Sequence, residues 1–317
     1  MAHQHQVGKV KRWRKLFFLL VLNVLLWGTG IYLWQQRNNG PPTALHRFTA
    51  SSESTEFVRD GALRQHNTNF PIESEHVILV NVTTGEVLFE HDADTRAYPA
   101  SLTKMMTVLV AIEMTAGEEM TIRADFDGLH LAGAAMAGFE YGEIRSISEV
   151  LHGAMLSSGA DATETIAYHV SGSYDGFVAL MNERAIQIGM TSTNFTNASG
   201  LHDSNQYTTA YDMALFLSYA LENPVFRQIF TTRNYPILTA TGEERVLSST
   251  MFFALETSEF PGGEILGGKD GFTPQAGLCL ASLATDGEHE FVLITLGGRS
   301  QAANVIDALV IYHYFLD

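Results

Sequence analysis

A serine and a lysine stand three residues apart at the head of a long apolar run, in the segment YPASLTKMMTVLVAIE that begins at Tyr98. If a helix begins near Ser101, Lys104 lies on the same helix face, because residues at i and i+3 are neighbours. The helix macrodipole favours negative charge developing on that hydroxyl, and burial lets a lysine lose its proton. Together they could act as nucleophile and base. The alternative is an N-cap serine followed by a solvated lysine, since Ser-x-x-Lys arises by chance in many chains.

Two further motifs follow along the chain. The segment LSSGADATETIA places Ser157–Gly159 between two helical stretches, and GGKDGFTPQAGLCLAS places Lys269–Gly271 just before a strand. A Ser-x-x-Lys motif, then a Ser-Gly loop, then Lys-x-Gly on an edge strand is the ordered trio of penicillin-recognising serine enzymes. β-Lactamases share this trio, but no deacylating glutamate can be identified by position.

A longer segment narrows the resemblance. Residues 189–214, GMTSTNFTNASGLHDSNQYTTAYDMA, resemble the signature GM…F.N..GL….YTTAYDMA of the serine-type D-alanyl-D-alanine carboxypeptidases, the low-molecular-mass penicillin-binding proteins. The resemblance covers roughly residues 75–317. It implies an α+β, β-lactamase/penicillin-binding-protein-like domain that acts on peptidoglycan stem peptides ending in D-Ala-D-Ala. It also implies β-lactam antibiotics as inhibitors and no metal or other cofactor.

The resemblance assigns roles to five residues. Ser101 would form the acyl-enzyme with the D-alanyl carbonyl of the peptide, and Lys104 would be the general base. Ser158 would relay a proton to the departing D-alanine, and Lys269 would hold the substrate and tune Ser158. The backbone N–H groups of Ser101 and Phe272 would form the oxyanion hole. Lys269 and Phe272, with the two residues between them, Asp270 and Gly271, are therefore the predicted substrate-binding residues.

Two departures from the family pattern leave three functions open. The usual Ser-x-Asn is Ser158–Ala160 here, and the usual Lys-Thr-Gly or Lys-Ser-Gly is Lys269–Gly271 with Asp270 at its centre. An ionised Asp270 would repel the substrate carboxylate that the usual hydroxyl helps to bind, unless it is protonated or paired with Lys269. We expect an active D-Ala-D-Ala carboxypeptidase. The alternatives are a D,D-endopeptidase that cleaves a cross-link without a free carboxylate at that point, and a catalytically impaired peptidoglycan-binding or scaffold module.

The first 71 residues differ from the remainder. Residues 1–15 carry five basic residues, and residues 16–34, LFFLLVLNVLLWGTGIYLW, have the length and apolar character of a transmembrane helix. Basic residues on one flank predict a cytoplasmic N-terminus, so the chain would be a single-pass protein of the cell membrane with an extracytoplasmic catalytic domain. A cleaved signal peptide is the alternative. Residues 35–71, rich in Ser and Thr and interrupted by Gly-Pro-Pro, are predicted to form a stalk.

Composition excludes some functions. Positions 1–37 hold six of the 19 basic residues and none of the 35 acidic ones, so the remainder carries 13 basic against 35 acidic residues, a net charge of −22. Such a surface repels nucleic acid. The single cysteine, Cys279, permits no intrachain disulfide. The 12 histidines include no His-Glu-x-x-His motif and no tight ligand cluster, and His202 in a turn-like loop is more typical of a structural residue than of a zinc ligand.

Periodicity predicts the elements that must position these residues. HVILVNV, TTGE and VLFEHD predict one hairpin near the start of the domain, and AGLCLASLA, TDGEH and EFVLITLGG predict a second near its end. Helical patterns cover residues 101–116, 147–169, 174–189, 208–222 and 301–316. Strands at both ends with helices between them predict an α+β domain over residues 72–317, in which an antiparallel sheet joining the terminal strands is flanked by helices.

Overall fold

The computed structural model describes residues 57–59, 72–116, 120–126, 131, 133–255, 257–300 and 302–316. The predicted basic segment, the predicted transmembrane helix at 16–34 and most of the predicted stalk therefore lie outside the described residues. Among the residues that are described, no helix has both the length and the apolar character that crossing a bilayer demands.

The described residues form ten strands and eight α-helices. The strands are β1 (His76–Asn81), β2 (Glu86–His91), β3 (Thr121–Arg123), β4 (Ile144–Ser146), β5 (Asn234–Leu238), β6 (Glu244–Ser248), β7 (Glu259–Phe260), β8 (Gly263–Thr273), β9 (Gly277–Thr285) and β10 (Glu290–Gly298). The helices are α1 (Thr103–Met114), α2 (Ile147–Met155), α3 (Ala160–Ser171), α4 (Tyr174–Ile188), α5 (Ala210–Leu221), α6 (Pro224–Thr231), α7 (Thr250–Ala254) and α8 (Ala303–Leu316), and a 3₁₀ turn (Ala100–Leu102) leads directly into α1.

Six strands form an antiparallel sheet in the order β2-β1-β10-β9-β8-β7. Strand β1 pairs along its whole length with β10, from His76 opposite Leu296 to Asn81 opposite Phe291, which confirms that the terminal strands share one sheet as predicted. All six residues of β1 are buried. Alternate side chains of a strand point to opposite faces, so Ile78 packs into the larger apolar cluster and its neighbour Val77 into the cluster formed with α8.

Helix α1 is the central helix of the larger cluster. Residues Thr103–Ile112 are all buried, and Lys104 is the one charged residue among them. A helix that is apolar on all sides is stable only when other elements surround it. Helices α2, α3, α4 and α6 supply those contacts. This packing fixes the position of the first turn of α1 relative to the sheet.

The segment predicted as helical over 147–169 forms two helices. Helix α2 ends at Met155 and α3 begins at Ala160, and Ser158 between them has a φ of +55°. A left-handed residue cannot continue a right-handed helix, so the chain turns there and presents the Ser158 loop. The hairpin β5–β6 and the short helices α6 and α7 were not predicted, and Lys269–Gly271 lie within β8 rather than before a strand.

Residues 57–59 pack against the domain although they fall in the segment predicted as a stalk. Phe57 is buried, with its ring edge-on to Tyr211 at 5.7 Å. The Arg59 guanidinium pairs with Glu90 and Asp94 at 3.2 and 3.0 Å. These contacts tie the segment that leads into the domain to strand β2 and helix α5.

Candidate active site

The hydroxyl of Ser101 and the amine of Lys104 face each other across one helical turn. Lys104 Nζ lies 3.0 Å from Ser101 Oγ and also donates to the backbone carbonyl of Ser199. Ser101 lies in the 3₁₀ turn that precedes α1, and Ala100 before it has a φ of +47°. Such a conformation costs a non-glycine residue about 1–2 kcal/mol, and the packing of α1 holds the chain there. The sequence spacing therefore produces the predicted pair.

Burial changes the acid–base behaviour of Lys104. Its side chain is 3% exposed. Desolvation, reinforced by the positive charge of Lys269, lowers the pKa of Lys104 to about 7, against the opposing influence of Asp270 and Asp161. Near neutral pH a large fraction of this amine is uncharged, and only the uncharged amine can accept a proton.

Two glycines allow other segments to reach the Ser101 backbone. A Cβ on Gly271 of β8 would lie 2.8 Å from the amide nitrogen of Ser101. A Cβ on Gly200, where φ is +83°, would lie 1.9 Å from the carbonyl oxygen of Ala100. Both distances are shorter than any real Cβ contact, so glycine is required at both positions. Strand β8 and the 199–202 loop therefore lie directly against the turn that carries Ser101.

The loop that carries Ser158 is fixed from three sides. Gly159 N donates to Gly153 O at 3.0 Å, and Thr250 N donates to Leu156 O at 3.1 Å. Ala160, where the family has asparagine, donates its backbone N–H to Ala135 O at 2.8 Å. Its methyl group offers no hydrogen bond to Lys104 or to a substrate. The loop is therefore held by backbone bonds.

Asp161 orders the segment that follows the cavity-lining residues 133–135. Its buried carboxylate accepts hydrogen bonds from the backbone N–H groups of Ala137, Gly138 and Phe139, at 2.8, 2.8 and 3.0 Å. Buried carboxylates need such partners, and three donors from one segment hold that segment in a single conformation. The same carboxylate favours the charged form of Lys104.

Asp270 forms a closed polar cluster with Lys269 and Thr250. Lys269 Nζ donates to Asp270 Oδ1 at 3.2 Å and to Asp270 O at 2.7 Å, and Thr250 Oγ1 donates to Asp270 Oδ1. Burial alone would raise the pKa of Asp270, but the charge of Lys269 and the two hydrogen bonds hold it below its usual value. Asp270 is therefore ionised at neutral pH and paired with Lys269. Of the two states that would reduce its repulsion of a substrate carboxylate, protonation and pairing, the structure has the pairing.

A cavity of about 470 Å³ brings the motifs together. Six of the seven predicted residues line it: Ser101, Lys104, Ser158, Asp270, Gly271 and Phe272. The seventh, Lys269, is 1% exposed and does not line the cavity itself. It donates a hydrogen bond to Asp270, which does. A larger cavity of about 590 Å³, lined by Arg233 and Phe253, contains none of the predicted residues. Its larger volume is not evidence of catalytic activity.

Sequence reasoning missed three residues of this site. Ser199 and Thr250 also line the cavity, and Asp161 holds the segment directly after the lining residues 133–135. Ser199 lies in the 189–214 signature, which could have identified it. Thr250 carried no signal, because it meets Asp270 only through the packing of α7 on β8. Within the described ranges, no three His, Cys, Asp or Glu side chains converge as metal ligands.

Comparison with known proteins gives consistent matches. The family described as D-alanyl-D-alanine carboxypeptidase (peptidase S11) matches residues 63–300. D-alanyl-D-alanine carboxypeptidase DacF of Bacillus subtilis is 30% identical over 237 residues, which are 72% of this chain and 58% of that protein. DacA of Escherichia coli K12 is 30% identical over 239 residues, 72% of this chain and 57% of the relative. The chain thus spans less than two thirds of the length of these relatives.

Solved structures match in the same region. The crystal structure of the Streptomyces K15 DD-transpeptidase superimposes with a TM-score of 0.69 at 27% identity, covering 77% of this chain and 97% of that one. This agreement covers the α+β fold with its antiparallel sheet and flanking helices.

Proposed function

The chain belongs to the D-alanyl-D-alanine carboxypeptidase family (peptidase S11), and from that premise we propose that it is a serine D-Ala-D-Ala carboxypeptidase. In this proposal it trims the terminal D-alanine from peptidoglycan stem peptides. The reaction proceeds through an acyl-enzyme on Ser101, and β-lactams acylate the same serine. The observation that carries the proposal is the 3.0 Å contact between Ser101 Oγ and a buried lysine whose pKa is about 7.

Acylation uses the pair at the start of α1. Uncharged Lys104 takes the proton of Ser101 Oγ as that oxygen attacks the carbonyl carbon of the penultimate D-alanine. The carbonyl oxygen becomes an oxyanion, which the backbone N–H groups of Ser101 and Phe272 stabilise. The close approach of Gly271 to Ser101 N supports this assignment, because Phe272 follows Gly271 on the same strand.

Breakdown of the tetrahedral species releases D-alanine. The C–N bond breaks, and the leaving nitrogen receives the proton by way of Ser158, which lines the same cavity. Water then attacks the acyl carbon and gives its proton to the lysine–serine pair, which restores Ser101 and frees the shortened peptide.

Asp270 is the residue on which the choice between this function and the endopeptidase alternative depends. Lys269 is paired with Asp270, so a substrate carboxylate gains little attraction from Lys269 and would lie close to the like charge of Asp270. A cross-linked peptide whose leaving amine bears no carboxylate avoids this cost. This pairing is the specific observation that keeps a D,D-endopeptidase as the second candidate. A scaffold role does not require a lysine at position 104, where burial of the amine carries a desolvation cost that its bonds to Ser101 and Ser199 only partly offset.

The proposed location is the cell membrane, with the catalytic domain outside the cytoplasm. Support comes from the sequence alone: the basic segment 1–15, the apolar segment 16–34 and the acidic remainder. Peptidoglycan, the proposed substrate, lies on the extracytoplasmic side of the membrane.

Product analysis tests the proposed function. The purified full chain and its Ser101→Ala variant are incubated with a pentapeptide muropeptide and with a cross-linked dimer, and the products are identified by mass spectrometry. Loss of one D-alanine from the pentapeptide, absent in the variant, is the expected result. Cleavage of the dimer alone would identify an endopeptidase. If neither substrate is cleaved by the folded protein, the result would favour a catalytically impaired peptidoglycan-binding module.

A further inference from the structure

A second polar cavity adjoins the one that contains Ser101. It has a volume of about 510 Å³, within the usual range of about 300–1,000 Å³ for ligand sites. Gln275, after the end of β8, lines both cavities. Tyr98 lines the second and His202 the first, and their rings touch edge-on with centroids 4.8 Å apart. The two cavities therefore share a boundary at the end of β8.

The second cavity contains one cation, Arg96, that no carboxylate among the described residues neutralises. Besides two tyrosines, the ionisable side chains that line it are Glu75, His76 and Arg96. Glu75 is paired with Arg299, whose Nε lies 2.6 Å from Glu75 Oε1. Arg96 lies on the ring of Tyr207, 4.1 Å from its centroid, and has no ion-pair partner within the part of the chain that the structure describes.

The backbone beneath Arg96 is rigid. Ala97 and Thr208 exchange two backbone hydrogen bonds of 2.8 and 2.9 Å, and Tyr207 and Asn194 exchange two more of 2.9 and 3.1 Å. Stacking on Tyr207 limits the rotamers of the guanidinium, so little conformational entropy remains to be lost on binding. A planar guanidinium held in this way matches a carboxylate with two parallel hydrogen bonds.

We propose that the second cavity, with Arg96 as its anion-binding residue, holds a carboxylate of the acyl part of the substrate peptide, upstream of the scissile bond. This inference rests on the proposed function. In a carboxypeptidase the leaving group is one residue, so only the acyl part is long enough to reach beyond the cavity of Ser101. The domain is strongly acidic, and an anionic peptide needs a local cation to overcome that repulsion.

Binding to the full chain carrying Ser101→Ala tests the inference without turnover. The probes are L-Ala-γ-D-Glu-L-Lys-D-Ala-D-Ala with the glutamate α-carboxyl free, and the same peptide with that carboxyl amidated. Calorimetry should show about tenfold tighter binding of the free acid, which is the discrimination expected of one charge-assisted contact. Adding Arg96→Gln should abolish the difference, and Arg96→Lys should keep part of it. Arg233→Gln, at the unrelated larger cavity, should leave it unchanged.

The outcomes separate this inference from the proposed function. Equal binding of the two peptides, or a preference that survives Arg96→Gln, overturns the carboxylate site. D-Alanine release by the unmodified chain is measured on the same peptides. If D-alanine is released but the two peptides bind equally, the carboxypeptidase function stands and the carboxylate site is refuted. If the free acid binds more tightly in an Arg96-dependent way but no D-alanine is released, the carboxypeptidase function is refuted and the carboxylate site stands.

Discussion

The carboxylate of Asp270 lies 3.2 Å from the ammonium of Lys269, so the two charges cancel at one end of the cavity that contains Ser101. Thr250 adds a hydrogen bond to the same carboxylate oxygen. A residue that would otherwise attract a substrate carboxylate is thereby engaged by its neighbour on β8. Asp270 is one of the two positions at which the site departs from the family pattern.

Replacing Asp270 should raise carboxypeptidase activity. In Asp270→Thr the charge is removed and a hydroxyl is added, so Lys269 becomes free to attract the terminal carboxylate. We expect kcat/KM for D-alanine release from a pentapeptide to rise about tenfold, equivalent to about 1.4 kcal/mol. Asp270→Asn separates the two effects, because it removes the charge without adding the hydroxyl. An unchanged rate in both variants would mean that Asp270 does not oppose the substrate carboxylate.

The rate of Ser101 acylation should follow the titration of Lys104. The uncharged amine is the reactive form and its pKa is about 7. The rate should therefore rise about tenfold per pH unit below pH 7 and level off above it. Stopped-flow acylation by a chromogenic β-lactam between pH 5 and 9 measures this. In Lys269→Gln a positive neighbour is lost, so the midpoint should move to higher pH. A profile that is flat in the unmodified chain contradicts Lys104 as the base.

Asp161→Asn should destabilise the domain. The amide retains one acceptor oxygen in place of two, so at least one backbone N–H of the 137–139 segment loses its partner. We expect a loss of about 1–3 kcal/mol in the free energy of unfolding, measured by urea titration. Asp175→Asn, an exposed residue in the first turn of α4, should cost at most about 1 kcal/mol. Equal effects of the two substitutions would show that the bonds of Asp161 are unimportant.

Gly271→Ala should slow acylation more than it destabilises the fold. The added methyl group would lie 2.8 Å from Ser101 N, so β8 or the turn must move and the oxyanion hole is distorted. Loss of one oxyanion donor costs about 10²–10³ in rate. Gly189→Ala is the matched control, because its φ is +97° but nothing lies within 4 Å. It should cost about 1–2 kcal/mol of stability and leave acylation unchanged. Normal acylation in Gly271→Ala would exclude the proposed hole.

The parts of the site that the sequence predicted are those set by local spacing. Ser101 and Lys104 face each other because they are three residues apart at a helix start, and the apolar run after them indicated a buried helix. The terminal strands were recognisable by their alternation and by their apolar residues. The pairing of β1 with β10 followed from their places at the two ends of the domain.

The parts that the sequence did not predict depend on packing between distant segments. The break between α2 and α3 depends on Ser158 adopting a positive φ, which its residue type does not favour. Thr250 reaches Asp270 from 20 positions away along the chain, through a five-residue helix too short to show periodicity. The state of Asp270 was left open between protonation and pairing, and only the position of Lys269 decides it.

Mass analysis of the chain after exposure to benzylpenicillin tests the central claim most directly. The unmodified full chain should gain the mass of one penicilloyl group, on the peptide that contains Ser101. The folded Ser101→Ala variant should gain nothing. An adduct that persists in the variant, or a folded unmodified chain that never forms one, would contradict Ser101 as the nucleophile of an acyl-transfer enzyme.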